Sequence, residues 1–294
     1  MNFSSLGARA LSLLRGTPSQ PPTKAFAIQV RDAESVELSF PVSTGGRETS
    51  YFLMGLAKSG TVLMNGMGKA LAEQAGVPFV DFPGTLFGKG IPILDVTDTG
   101  GLFREAGVCF GGFRGAWIGS KFVEIPAAAM VVVLVRDPRD ILVSLYFSVQ
   151  KSHWVPASGK VRDNALQRRE DAANTDIDLW VIEKAPGLAS GMERLNTWCQ
   201  LARPEQVKFF KYEDVIFEKE RWLRGMSEWF GWDVPLHHIQ QIAAKHDVRP
   251  ENEDASRHIR KVAPGDHIEK LQPATIARLN EILGPASAKF GYTL

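Results

Sequence analysis

The segment Gly55-Leu56-Ala57-Lys58-Ser59-Gly60-Thr61 has the residue types and spacing needed to hold an oxyanion. An apolar run, Tyr51 to Met54, leads into it, and a helical pattern follows, with Leu63, Met64, Met67, Ala70 and Leu71 on one face. A glycine-bearing turn between strand and helix aims backbone N–H groups and the positive end of the helix dipole at one point. That arrangement suits a phosphate or a sulfate. The spacing G-x-x-x-x-G opens like a nucleoside-triphosphate loop, but Thr61 and Val62 stand where Lys and a hydroxyl residue would be required. The lysine lies inside the loop instead, as Lys58. The pattern predicts an anion seat built differently from that of an ATPase.

A second group of charges, Arg136-Asp137-Pro138-Arg139-Asp140, ends the β-branched run Met130 to Val135, which reads as a strand buried on both faces of a parallel sheet. Asp137 suits a helix N-cap, Pro138 the first helical position and Asp140 the third. The helix is expected to bury Ile141, Leu142, Leu145, Tyr146 and Val149, with Asp140, Ser144 and Ser148 on the opposite, polar face. Alone, Arg136 is equally explained by pairing with Asp137 or Asp140, and Ser144 by an ordinary surface position. The six histidines and two cysteines (Cys109, Cys199) have no ligand spacing, so no metal site is expected. The cysteines read as reduced thiols of a cytoplasmic protein.

Other elements must bring these groups together. A chain of 294 residues with 44% hydrophobic and 23% charged residues fits a soluble globular protein with a substantial core, and the order strand, anion loop, helix from Tyr51 opens an α/β unit. A net charge of +1 argues against a nucleic-acid partner and makes any anion site local. No stretch approaches the roughly 18 consecutive apolar residues of a membrane span. Residues 1–24 read as a basic, partly ordered extension, with a weak membrane-surface contact as the alternative, and 25–294 as one domain. Ala25 to Val30 and Ser35 to Val42 alternate like a hairpin, and residues 78–128 form a long stretch rich in glycine and aromatics, expected to wall the substrate site. Residues 151–190 are expected as a loop or lid. Val207 to Lys211 reads as a strand, closed by Tyr212-Glu213-Asp214; helices around Trp222 to Phe230 and Ile239 to Ala243 follow, and the last helix is expected to stop at Gly284-Pro285. The junctions at Lys58 and Arg136 would then share the carboxyl edge of one parallel sheet, where open α/β sheets bind ligands.

In order and spacing, these segments resemble the cofactor motifs of sulfotransferases that use 3′-phosphoadenosine 5′-phosphosulfate (PAPS). Lys58-Ser59-Gly60-Thr61 is similar to the family's 5′-phosphosulfate loop. Arg136 through Ser144 resembles its 3′-phosphate segment, in which an arginine and a later serine grip that phosphate. Arg260-Lys261-Val262-Ala263-Pro264-Gly265-Asp266-His267 resembles the family's late Arg-Lys-Gly…Gly-Asp-Trp loop, and Tyr212-Glu213-Asp214 an element whose tyrosine faces the adenine. The resemblance implies a P-loop-like three-layer fold, PAPS as co-substrate without metal, and cofactor contacts from Lys58, Ser59, Gly60, Thr61, Val62, Arg136, Ser144, Tyr212, Arg260 and Lys261. The chain departs from the family in three places. Thr61-Val62-Leu63 lacks the tryptophan that stacks on adenine. Val262 replaces the late glycine. All six histidines follow Arg136, so the family's usual base is missing, and Phe113, Arg114 and Gly115 stand near its place.

The implied reaction moves an SO₃ group in line from PAPS to a hydroxyl or amine of a small-molecule, glycan or lipid acceptor. Positioning and electrostatic stabilisation would dominate, with Lys58 meeting the charge on the leaving 5′-phosphate. For the missing base, the carboxylates Asp81, Asp95, Asp98, Glu105 and Glu124 are the candidates, with Glu105 preferred because it lies beside Arg104 and near the histidine's position; His153 is the fallback. Two other readings remain open: a P-loop kinase or nucleotide hydrolase, and a non-catalytic nucleotide-binding relative.

Overall fold

In the computed structural model, which describes residues 21–115, 117–119, 121–152, 160–250 and 260–294, the alternating first stretch forms an antiparallel ribbon. It consists of β1 (Thr23–Val30) and β2 (Val36–Pro41), with Phe26, Ile28, Leu38 and Phe40 turned inward. Of the expected extension, residues 1–20 lie outside the described residues, and Thr23 and Lys24 already belong to β1. The anion-loop strand is β3 (Ser50–Gly55), followed by α1 (Thr61–Gln74). The glycine-rich stretch resolves into short pieces: β4 (Phe79–Asp81), α2 (Phe82–Gly88), β5 (Val96–Asp98), β6 (Cys109–Gly111), β7 (Trp117–Ile118) and β8 (Lys121–Phe122). Of its described aromatics, Phe82, Phe103, Phe110 and Phe113 are core, whereas Phe87 is exposed.

β9 (Ala129–Val135) runs beside β3, and the main sheet has the order β10-β9-β3-β6-β4 with every pair parallel; β10 is Val207–Lys211. Period-two alternation decides which residue faces which layer. Phe52, Met54, Val131, Val133 and Val135 face one side, where Met192, Leu195 and Trp198 close the core. Tyr51, Leu53, Val132 and Leu134 face the other, against Met64, Met67, Leu71, Trp222, Leu223 and Met226. A third cluster joins α3 (Pro138–Phe147) to the later helices through Leu142, Val143, Trp180, Val181, Leu279 and Leu283.

Two expectations are corrected. In the stretch expected as a loop or lid, residues 160–190 are largely helical: α4 (Lys160–Asn174) is followed by α5 (Ile177–Leu201). In α5 the residues Trp180, Val181, Ala185, Leu188, Met192, Leu195 and Cys199 keep a helical apolar stripe across Pro186, which sits inside the helix. The α5 stripe packs against the sheet and α3, and that burial outweighs the local break. The last helix, α10 (Pro273–Ala288), likewise continues through Gly284-Pro285, with Leu283, Ala286 and Ser287 buried. On the polar side of α3, Asp140 is fully buried and Ser144 half-buried. The remaining helices are α6 (Tyr212–Val215), α7 (Lys219–Phe230), α8 (Leu236–His246) and α9 (Asp266–Lys270).

At the end of β3 the chain must turn without a side chain. A Cβ on Gly55 would come 2.6 Å from Thr61 Cγ2 and 2.9 Å from the Leu134 carbonyl oxygen. Because the second obstacle is backbone of the adjacent strand, Gly55→Ala should lower unfolding free energy by about 1–3 kcal/mol. Denaturant unfolding checks this, and an unchanged midpoint would contradict the packing described.

Candidate active site

The loop after β3 has a specific backbone shape. Lys58 adopts φ +66° and Gly60 φ +96°. A non-glycine residue in the left-handed region costs about 1–2 kcal/mol, so Lys58 is held there by its surroundings. Ser59 is buried, and its N–H (3.2 Å) and hydroxyl (2.8 Å) both donate to the Leu56 carbonyl. Its visible contribution is therefore loop shape. α1 begins at Thr61 with Gly60 as N-cap and no capping side chain, which leaves first-turn N–H groups for an anion. Thr61 is buried, whereas Val62 is 50% exposed and offers only its backbone to such a group.

Three arginines converge on the Lys58 ammonium. Burial, together with the charges of Arg114, Arg136 and Arg260, lowers its pKa to about 8. Arg136 leaves β9 at the same sheet edge, donates to the Lys58 carbonyl at 3.3 Å, and lies with its guanidinium carbon 4.3 Å from the Tyr212 ring centroid. The Tyr212 hydroxyl donates to the Val262 carbonyl at 2.9 Å, and a Cβ on Gly60 would meet the ring at 2.9 Å. One aromatic ring thus joins the anion loop, Arg136 and the late loop. Ser144 is one turn beyond Asp140 on α3, half-buried. Arg260 pairs with Asp266 and packs on the Phe147 ring; Lys261 reaches Asp266 at 3.3 Å and Glu269 at 2.6 Å.

Asp140 is the brace of this arrangement, and its part was not readable from its place in the helix. It accepts from Gly265 N–H (2.8 Å), His267 N–H (3.0 Å) and, as a carboxylate, pairs with His267 Nδ1 (2.7 Å), with Arg136 3.6 Å away. Burial alone would raise its pKa; the His267 side chain, the Arg136 charge and the two backbone N–H groups outweigh burial and hold it at about 2. Glu213 ties down the same edge, accepting from Asp137 N–H and from the Tyr292 hydroxyl, both at 2.8 Å. Arg114, near the place of the family's usual histidine, is one of the charges that lower the Lys58 pKa.

Glu105 is not at this site. The parallel strands put Lys58 and Arg136 beyond their carboxyl ends, whereas Glu105 precedes β6 at the amino end of the sheet. Its carbonyl accepts the Ser50 hydroxyl at the start of β3, and its carboxylate pairs with Lys24. The six residues of β3 separate it from the anion loop by roughly 15–20 Å. Nearness in sequence to Arg114 misled, because β6 itself lies between them. His153 falls outside the described residues.

Residues 125–291 match the model of the sulfotransferase domain. The chain belongs to the sulfotransferase domain family. The match covers Arg136, Ser144, Tyr212, Arg260 and Lys261 and begins after the Lys58 loop. Among solved structures, the chain is similar to mouse sulfotransferase SULT7A1 complexed with PAP (TM-score 0.53, 16% identity, 90% of this chain and 99% of that one). It is also similar to retinol dehydratase in complex with androsterone and the inactive cofactor PAP (TM-score 0.51, 13% identity, 96% and 94%). At such identity these likenesses concern the fold, and they extend it across the Lys58 loop. No curated protein matches the chain in sequence. Among the described residues no helix is long and apolar enough to cross a membrane, and no His/Cys/Asp/Glu group is arranged to hold a metal ion.

The Asp140 brace of this sulfotransferase domain generates a pH prediction. A carboxylate with a depressed folded-state pKa contributes stability that is full above its unfolded value of about 3.9 and is lost as pH falls towards about 2. Asp140→Asn should therefore cost about 1–3 kcal/mol at neutral pH, the penalty for a buried network losing its acceptor charge. The difference from wild type should shrink below pH 4. A variant difference that is constant from pH 7 to 3, followed by denaturant unfolding, would contradict the assigned charge.

Proposed function

We propose that the protein transfers the sulfuryl group of PAPS to a hydroxyl of a small-molecule acceptor. One observation carries the reading: Lys58, in a left-handed loop at an uncapped helix start, is crowded by Arg114, Arg136 and Arg260. Like charges so placed repel unless a polyanion lies among them. PAPS has anionic groups at both ends. Its 5′-phosphosulfate fits the Lys58 loop, with the N–H groups of Gly60, Thr61 and Val62, and its 3′-phosphate fits Arg136 and Ser144, with Arg260 and Lys261 closing from the late loop. Tyr212, whose ring is already engaged by Arg136, supports the nucleotide from below.

In the reaction, the acceptor oxygen attacks sulfur while the bond from sulfur to the 5′-phosphate oxygen breaks. Charge grows on that phosphate, and Lys58 neutralises it in a partly desolvated site, where such an interaction is strongest. The kinase reading is weaker because the acids nearest the loop are already taken. Asp137 is paired with Arg139 at 2.6 Å, and Asp140 is bonded to the late loop. A small hydroxylated acceptor is supported by the androsterone bound in the retinol dehydratase structure.

Adenosine 3′,5′-bisphosphate (PAP) should raise the melting temperature without Mg²⁺; stabilisation by ATP with Mg²⁺ but not by PAP would favour the kinase reading. The affinity should fall as pH rises past about 8, because the ligand-free protein then loses the Lys58 charge, whereas bound phosphate favours it. Titration calorimetry at pH 7 and 9 reads this, and a pH-independent Kd would contradict it.

The two ends of the cofactor should also separate kinetically. Arg136→Ala removes charge-assisted bonds worth about 1.5–3 kcal/mol and should weaken PAP binding by about 10–150-fold. Lys58→Ala should lower kcat by about 10²–10³-fold with a smaller change in binding. Parallel losses in KM alone for both variants would sink this division.

A further inference from the structure

We propose that Asp81 is the base that removes the acceptor's proton, an inference that rests on the sulfuryl-transfer reading. A hydroxyl that bonds to sulfur must give up its proton, and no histidine precedes Arg136 in the chain. Of the five carboxylates in the aromatic-rich stretch 78–128, four are turned away from the carboxyl edge. Glu105 pairs with Lys24 at the amino end of the sheet, and Glu124, ahead of β9, pairs with Arg104. Asp95 leads into β5 of the separate three-stranded sheet, and Asp98 ends that strand and caps Gly100.

Asp81 is the last residue of β4, at the same carboxyl edge as Lys58 and Arg136. Its carboxylate leans over the exit of β6, the strand next to β3: a Cβ built on Gly112 would collide with Asp81 Oδ1. Gly112 has φ +84°, so both its conformation and the carboxylate require a residue without a side chain there. Two residues further on is Arg114, one of the charges acting on Lys58. With strands about 4.8 Å apart, the carboxylate lies, measured across the sheet, one to two strand spacings from β3. That gap is the width that a sulfuryl group and an acceptor oxygen between them would fill.

Asp81 is exposed, and Oδ1 accepts one hydrogen bond, from Gly84 N–H at 2.8 Å. Among the described residues Oδ2 has no donor and remains available to an acceptor. In the step, a lone pair of the acceptor oxygen forms the new S–O bond, and the old S–O bond breaks with its pair passing to the 5′-phosphate oxygen. The acceptor's proton moves to Oδ2 of Asp81. Atoms and charge balance without a further reactant.

Asp81 also caps α2, so the test must separate capping from catalysis. Asp81→Asn does so, because asparagine caps a helix as well as aspartate does but cannot take a proton. Two activities are compared. The first is release of labelled sulfate from PAPS to water, an acceptor that fits any pocket and must be deprotonated. The second is transfer from p-nitrophenyl sulfate to PAP, whose leaving p-nitrophenolate is stable without a proton. The variant should lose about a hundredfold or more of the first activity. It should keep the second, along with the wild-type melting temperature and its shift by PAP. Normal sulfate release in the variant would overturn the proposal, as would an equal fall in both activities. Wild-type protein that binds PAP but performs neither transfer would instead sink the sulfotransferase reading, and the base with it.

Discussion

Like-charge repulsion at one point of the sheet edge is the constraint around which this structure is arranged. Burial, reinforced by the charges of Arg114, Arg136 and Arg260, brings Lys58 down to about 8. Such a cluster is unfavourable in the ligand-free protein and must be held by interactions formed elsewhere in the fold. The buried Asp140 carboxylate does most of this. It faces Arg136 within its own helix start and grips the backbone of residues 265 and 267, so the late loop stays against the first phosphate motif. Tyr212 adds a second tie, through its ring to Arg136 and its hydroxyl to Val262.

The sheet supplies the rest of the geometry. Because β3 and β9 are adjacent and parallel, the loop that follows one and the helix that follows the other start side by side. Their first-turn N–H groups and their cations then share one volume without any long-range positioning. β10, on the far side of β9, delivers Tyr212 in the same register, with Lys211 opposite Val135. The buried cysteines are outside this chemistry: burial raises both thiols, Cys199 to about 12.

Much of this was readable from sequence, for physical reasons that differ by element. Glycine and lysine between a strand and an apolar-faced helix specify a phosphate turn locally, and the β-branched run ending at Arg136 specifies a central parallel strand. What sequence could not show is which edge of the sheet a residue reaches. Glu105 is near Arg114 in the chain but at the opposite edge of the sheet, because the short strand β6 separates them. Asp140 resembled a helix-start carboxylate on a polar face; its partners, residues 265 and 267, are remote in sequence and became visible only in the fold. The helix through Pro186 was hidden by a residue that ordinarily ends helices, and tertiary packing of Trp180, Val181, Met192 and Leu195 overrides it.

A crystal structure with PAP bound tests the central claim most directly, since both phosphates have assigned seats. The 5′-phosphate should lie at the start of α1 against Lys58, and the 3′-phosphate between Arg136, Ser144 and the 260–261 loop. Asp140 should still be bonded to residues 265 and 267. PAP bound away from the Lys58–Arg136 edge, or bound there with the two phosphates exchanged, would contradict it.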